Sequence, residues 1–154
     1  MPILNYTTEI DVHKTVMEIQ RILIRCKARS VAIDYNEGGN PVSISFVIAV
    51  RGVPVQFRLK THIEGVFRKI MQDPAVPRKL KTEEQAARVA WRIKKDLLEA
   101  QTAAIEAEEA ELAELFLSWA VDPHSGLTVY EKFQCDLQLG SGEAVEGEYK
   151  EVKE

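Results

Sequence analysis

The segment "SVAIDYNEGGNPVSISFVIAVRGVPVQFRL", residues 30–59, decides the fold class. It contains three runs rich in β-branched and aromatic residues, separated by the short glycine-containing turns "NEGGNP" and "RG". This spacing is typical of an antiparallel meander. In the second run, "SISF" alternates polar and apolar side chains, which predicts that one face of the sheet is polar. The sequence therefore predicts a small antiparallel sheet covered by helices from the rest of the chain.

Helical patterns lie on both sides of these strands. Asp11 is the predicted N-cap of a helix over residues 12–27, because apolar residues recur there at helical spacing. Two capping-box patterns, "THIE" at residues 61–64 and "TEEQ" at residues 82–85, predict the starts of a short helix and of the main helix. The segment "DPAVPRK" separates them, since a proline disfavours helical conformation in the residue before it. We expect an α+β fold.

The main helical segment, residues 82–120, allows two geometries. It has neither proline nor glycine from Glu83 to Ala120, and one straight helix would be about 55 Å long. A compact domain of this size has a radius of gyration of only about 15 Å. The segment therefore either bends back near "AAIEAEEAEL" as a helical hairpin or projects as one long helix into an oligomer. Spacings of four and three predict a close-packing seam and a homo-oligomer. The residues of this seam are Ala86, Ala90, Ile93, Leu97, Ala100, Ala104 and Ala107.

The chain of 154 residues is long enough for one hydrophobic core. We predict a single α+β domain over residues 1–138, with the first helix, the meander and the short helix in residues 1–72. Residues 139–154 are polar, acidic and rich in glycine, which predicts a disordered acidic tail. No apolar run approaches the roughly 18 residues that span a bilayer, and the N-terminal residues lack the pattern of a secretory signal. We expect a cytoplasmic protein with no membrane contact.

Charge is polarised along the chain. Residues 1–50 carry five basic and five acidic side chains, residues 51–95 carry twelve and four, and residues 96–154 carry three and fifteen. The net charges are therefore 0, +8 and −12, which sum to the −4 of the whole chain. A basic middle and an acidic end can attract each other within one molecule or between neighbours. They can also leave the basic residues to an anionic ligand, with the acidic tail as a competitor.

Catalytic signals are absent from the sequence. The three histidines, His13, His62 and His124, belong to separate predicted elements. The sequence contains no HExxH, CxxC, GxSxG, GxxxxGK[ST] or GxGxxG pattern. We therefore predict a protein that is not an enzyme, with no catalytic residues, no metal and no cofactor.

The basic middle segment supplies the candidate ligand-binding residues. They come from the end of the third strand, the loop between the two later helices and one stripe of the main helix. A guanidinium forms two parallel hydrogen bonds to a phosphate, and an indole stacks on a base. The predicted phosphate-binding set is Arg58, Lys60, Arg78, Lys79, Lys81, Arg88, Trp91, Arg92 and Lys95.

A structural reading of the same helix remains open. Glu84 lies four residues before Arg88, and Lys95 lies four residues before Glu99. Such pairs stabilise an exposed helix by about 0.2–0.5 kcal/mol each. Trp91 is equally suited to the core. The stripe is thus either an anion-binding surface or a salt-bridged helix face.

Four segments, "ILNYTT", "FRLK", "VPRKLKTEEQAARVAWRIKKDLLEAQ" and "LTVYEKFQ", together resemble a family of small uncharacterised proteins encoded by bacteriophages and prophages. The resemblance covers most of residues 3–138. It implies a phage source and a bacterial host cell, and carries no activity over to this chain. It also implies a helix break near Glu108, where the family often has a glycine that this chain lacks.

The leading expectation is a non-enzymatic nucleic-acid-binding accessory protein. One alternative is an anti-defence protein that sequesters a nucleotide signal or blocks a host immune protein, and another is a structural self-assembling protein. The expected ligand is nucleic acid or an anionic nucleotide.

Overall fold

The computed structural model describes the backbone of residues 1–140 and the side chains of residues 1–138. Strands β1 (Ser30–Tyr35), β2 (Pro41–Val50) and β3 (Val53–Lys60) form an antiparallel sheet in the order β1-β2-β3. Arg51 and Gly52 have φ of 50° and 82° at the β2–β3 turn, the positive values that a type I′ hairpin requires at both positions. The meander predicted from residues 30–59 is confirmed.

Within residues 1–140, five helices accompany the sheet, so the predicted α+β class is also confirmed. They are α1 (Val12–Arg25), α2 (Ile63–Gln72), α3 (Glu83–Glu106), α4 (Leu112–Phe116) and α5 (Val129–Gly140), with short 3-10 turns at Arg78–Leu80 and Leu117–Trp119.

The main core lies between the sheet and helices α1 and α3. Ile44 and Phe46 of β2 belong to one buried cluster with Leu23 of α1 and with Trp91 and Leu98 of α3. A second cluster joins α2 to the first half of α3; its fully buried members are Ile70, Val76, Ala86 and Val89. The first part of the predicted alanine seam therefore packs within the chain, whereas Leu97 and Ala100 further along α3 are exposed.

Helix capping explains where α1 and α3 begin. The Asp11 carboxylate accepts a hydrogen bond from the His13 amide at 2.8 Å, as predicted. The Thr82 hydroxyl accepts from the Gln85 amide at 3.1 Å, but the Gln85 side chain does not complete a capping box. It donates instead to the carbonyls of Tyr6 and Thr8, each at 2.9 Å. Gln85 therefore fastens the N-terminal segment to α3.

The capping box predicted at residues 61–64 is wrong. The Thr61 hydroxyl donates to the carbonyl of Val42 at 3.3 Å, because residue 61 still lies beside β2 at the end of the sheet. His62 takes the N-cap position of α2, without a side-chain cap hydrogen bond. This places the imidazole at the junction of β3 and α2.

The segment 82–120 bends, which settles the choice between a straight helix and a turn. Helix α3 ends at Glu106, and Glu108 has φ of 58°. The amides of Glu108 and Glu109 donate to the carbonyls of Ile105 and Ala104 at 3.1 and 3.0 Å, which is the hydrogen-bond pattern of a Schellman motif. The left-handed position of a Schellman motif is usually glycine, and here it is Glu108.

An aromatic cluster holds the returning chain against the sheet. The Phe46 and Phe57 rings are stacked with centroids 5.4 Å apart, and Phe116 meets each edge-on at 6.0 Å. Beyond this anchor, the Val121 amide donates to the carbonyl of Gln56 at 2.8 Å, so the chain runs beside the free edge of β3. This places the 3-10 turn 117–119 and the start of α5 next to the end of β3.

The predicted tail, residues 139–154, lies mostly outside the described residues. Its first two residues are the last two of α5, and the rest of the predicted tail lies outside the described residues. No helix within residues 1–140 combines the length and apolar character needed to cross a membrane.

Candidate functional site

The predicted cationic stripe on α3 is paired with acids. The Arg88 guanidinium lies 2.7 Å from the Glu84 carboxylate, and the Lys95 ammonium lies 2.7 Å from that of Glu99. Arg92 forms an ion pair with Glu18 of α1, and its side chain is only 13% exposed. Each of these three cations therefore already has a carboxylate partner, so they do not form an unpaired stripe, and phosphate binding by them stays a prediction.

Trp91 is also misplaced in the predicted site. Its side chain is 0% exposed and belongs to the main core. The indole lies on the buried face of α3, whereas its chain neighbour Arg92 points toward α1. A ligand cannot stack on it without opening the core, so Trp91 leaves the set of candidate ligand-binding residues.

The three cations of the loop before α3 have different surroundings. The Lys81 ammonium donates to the carbonyl of Met71 at 3.2 Å, where it satisfies the C-terminal end of α2. Arg78 and Lys79 are exposed on the 3-10 turn and form no ion pair in the described part of the chain. These two remain free to contact an anion.

The remaining predicted residues, Arg58 and Lys60, lie at a cavity of about 470 Å³ at the free edge of the sheet. Four elements surround it: the end of β3, the middle of α3, the 3-10 turn 117–119 and the start of α5. The lining residues that bear on its chemistry are Arg58, Lys60, His62, Lys94, Trp119 and Glu131. We refer to this cavity as the edge pocket.

Lys94 gives the edge pocket its character. It is half-buried, and no carboxylate among the described residues forms an ion pair with it. Burial lowers the pKa of its ammonium below the ordinary value of 10.5, because the charged form loses hydration that no acid replaces. A cation without an acid partner in this position favours the binding of an anion in the pocket.

The other charges of the pocket leave it positive. Lys60 forms an ion pair with Glu131, and that hydrogen bond, followed by the one from the Thr128 amide, lowers the pKa of the Glu131 carboxyl. The Arg58 guanidinium donates to the carbonyl of Gly126 at 3.1 Å, which uses only part of its donor capacity. With Arg58, Lys60 and Lys94 positive and Glu131 negative, the sum is 3 − 1 = +2 with neutral His62.

The turn before α5 positions the pocket wall. Asp122 accepts from the amide of His124 at 3.0 Å and from the ammonium of Lys132 at 2.9 Å. These hydrogen bonds, led by that of Lys132, lower the pKa of Asp122 to about 2. Thr128 and Glu131 form a capping box, since each accepts the other's amide, at 3.1 and 2.9 Å.

Sequence reasoning missed Lys94, His62 and Trp119 as pocket residues. One signal was available for Lys94: it lies three residues after Trp91 and four before Leu98, which places a cation on the buried stripe of the helix. The sequence "TVYE" at residues 128–131 matches a capping box and predicts the start of α5. No local signal connects Trp119 with β3, because their contact depends on the bend after α3.

No group of histidine, cysteine, aspartate and glutamate side chains suited to a metal ion occurs in the described part of the chain. Protein-family models, curated proteins and solved structures yield no match to this chain. The phage origin implied by the resemblance therefore stays a prediction.

Proposed function

We propose that this protein is a non-enzymatic accessory protein that binds nucleic acid through the edge pocket, in the cytoplasm of a bacterial host of phage. The observation that carries the proposal is the half-buried Lys94 side chain, whose ammonium has no acid partner among the described residues and which shares the cavity with Arg58. An unpaired, partly desolvated cation costs folding free energy. A phosphate group supplies the missing negative charge and the hydrogen-bond acceptors.

The cations outside the pocket divide into two groups. Arg88, Arg92 and Lys95 support the helices through ion pairs, whereas Arg78 and Lys79 are exposed without such pairs. Lys94 lies 11 residues after Glu83, about 17 Å along α3 from the helix start, and the 3-10 turn that carries Arg78 and Lys79 precedes that start. These two residues add non-specific attraction for a longer strand and are not needed for the pocket.

A direct test measures the affinity of labelled single- and double-stranded DNA and RNA at two salt concentrations. About three phosphate contacts to a single strand give a slope near −2 for log K against log salt, so raising salt from 50 to 200 mM lowers the affinity about 16-fold. The variant Lys94→Met removes the pocket cation and should weaken binding. Its matched control is Lys14→Met, which removes one exposed charge on α1 away from the pocket. No binding of any nucleic acid at low salt removes the proposal.

A second candidate is an anti-defence protein that sequesters a nucleotide signal. The size of the edge pocket favours it, since about 470 Å³ falls within the range of 300–1,000 Å³ typical of small-molecule sites. A thermal-shift screen with mononucleotides, dinucleotides and cyclic nucleotides distinguishes the two. A ligand at 100 times its dissociation constant stabilises the protein by about 2.7 kcal/mol. If the affinity does not increase with strand length, this second candidate is favoured. If the protein instead blocks a host immune protein, no nucleotide should shift its Tm.

Self-association completes the proposal, and we assign it to the apolar face of α5 and the neighbouring 3-10 turn. Leu117, Phe133 and Leu137 are 57%, 58% and 58% exposed, and Val129 is 39% exposed. These four exposed apolar side chains supply part of the roughly 800 Å² that each partner buries in a standard interface. A second copy of the chain with the same face fits this size. Phe133→Asp then yields a monomer by mass in solution, whereas a wild-type monomer refutes both this assignment and the structural self-assembly alternative.

A further inference from the structure

Trp119 is the tryptophan that a ligand in the edge pocket can reach, and Tyr130 also lines this cavity. The chain has two tryptophans, and Trp91 is 0% exposed. Trp119 is half-buried and lines the pocket. Its ring packs against Phe116, with centroids 5.1 Å apart and ring planes tilted by 35°. Because Phe116 is fully buried, the indole is supported from the core side while part of its surface remains open to the cavity.

The support of the indole is rigid. Phe116 contacts both Phe46 and Phe57 of the sheet, and Ala120, the residue after Trp119, forms a bridge with Phe57. The Trp119 ring is therefore positioned by its contact with Phe116 and by the backbone bridge of Ala120, without any ligand. A platform that is already ordered loses little conformational entropy when a ring stacks on it.

Cations lie around the same cavity as this platform. Lys94 and Arg58 are both half-buried lining residues, as is Trp119. A nucleotide carries a planar base and a phosphate on neighbouring parts of one molecule. The pocket thus offers an indole ring face to the base and positive charge without an acid partner to the phosphate.

The size of the site suits a single nucleotide. A cavity of about 470 Å³ lies within the range typical of small-molecule sites. In a duplex the bases are stacked and paired, and bringing one to the indole requires unstacking. A single strand presents its bases without that cost.

We propose that the edge pocket takes one unpaired nucleotide of a single strand, with the base stacked on Trp119 and the phosphate held by Lys94 and Arg58. This inference rests on the proposed nucleic-acid binding and adds the class of ligand. The protein is accordingly selective for single-stranded over double-stranded nucleic acid, and the selectivity depends on bases as well as phosphates.

Tryptophan fluorescence provides the test on the full chain. A single-stranded oligonucleotide quenches the emission of Trp119, while Trp91 supplies an unquenched, buried reference signal within the same molecule. Trp119→Phe removes the quenched component. Trp119→Ala lowers the affinity tenfold to a hundredfold, the loss expected of one stacked base. An oligonucleotide of abasic sites, which keeps the phosphates and removes the bases, tests the same contact with the wild-type protein, so a misfolded variant cannot obscure the result.

The outcomes separate the inference from the proposed function. Quenching by the single strand, with weaker binding of the duplex and of the abasic strand, supports both. Equal affinity for single strand, duplex and abasic strand overturns the stacked nucleotide and leaves phosphate binding in place. Binding without quenching has the same consequence. Absence of any binding in anisotropy titrations at low salt overturns both.

Discussion

Replacing Lys94 with methionine tests whether the pocket is built for a ligand. Methionine has nearly the same length and helix propensity as lysine but no charge. Lys94 is half-buried with no acid partner among the described residues, and burial lowers the pKa of its ammonium. We therefore expect Lys94→Met to stabilise the protein while it weakens anion binding.

The size of the gain follows from the degree of burial. An isolated charge that is fully buried costs several kcal/mol, whereas Lys94 keeps part of its surface in water. We expect a gain of about 1 kcal/mol in the free energy of unfolding, within the usual range for removing an unfavourable functional residue. For a domain of this size such a gain raises Tm by about 2–4 °C.

Urea denaturation measures the effect. The midpoint for Lys94→Met should rise with an unchanged m-value, which shows that the stability and not the unfolded state has changed. The control Lys14→Met removes an exposed charge and should stay within about 0.5 kcal/mol of the wild type. If Lys94→Met is destabilised and binds oligonucleotide as well as the wild type, Lys94 serves the fold, and the argument for an anion in the edge pocket fails.

Four further changes have defined outcomes. Arg92→Met should destabilise the chain by about 1–3 kcal/mol in urea denaturation, because it leaves Glu18 partly buried without its partner. It should leave oligonucleotide affinity unchanged; weaker binding at unchanged stability would mean that Arg92 on α3 contacts phosphate after all. Glu131→Gln should raise that affinity severalfold in anisotropy titrations by freeing Lys60, whereas a loss would mean that the carboxylate contacts the ligand. Glu108→Gly should raise the unfolding free energy by about 1 kcal/mol, since glycine adopts φ of 58° without strain, and a loss would contradict the Schellman geometry. The difference in unfolding free energy between Lys94→Met and the wild type should shrink as the pH rises toward 10.5, because the pKa of Lys94 is lower in the folded state than in the unfolded state. Arg58, Lys60, His62 and Glu131 face the same cavity, so the same pH series with Lys14→Met serves as the control.

The sheet and most helix starts could be predicted from the sequence because their causes are local. The "RG" turn, the Asp11 cap and the Thr82 cap each depend on residues within a few positions of one another. The cap at Thr61 failed for a tertiary reason: the Val42 carbonyl of the neighbouring strand is the acceptor for its hydroxyl. Local pattern does not reveal competition from a residue 19 positions away.

The site could be predicted only in part, because partners distant in sequence decide which cations are free. Arg92 is paired by Glu18, 74 residues earlier, and Lys60 by Glu131, 71 residues later. The sequence placed basic residues on α3 correctly but could not distinguish Lys94, which lacks a partner, from its neighbour Lys95, which has one. The bend at Glu108 then brings Trp119 to the pocket in place of the predicted Trp91.

The salt dependence of single-strand binding tests the central claim most directly, since it counts the cations that neutralise phosphate. A short oligonucleotide titrated at several salt concentrations should give a slope of log K against log salt that is smaller by about 0.7 in Lys94→Met than in the wild type. The slope for Lys14→Met should equal that of the wild type. Identical slopes for all three proteins would contradict a phosphate at Lys94 and, with it, the edge pocket as the nucleic-acid site.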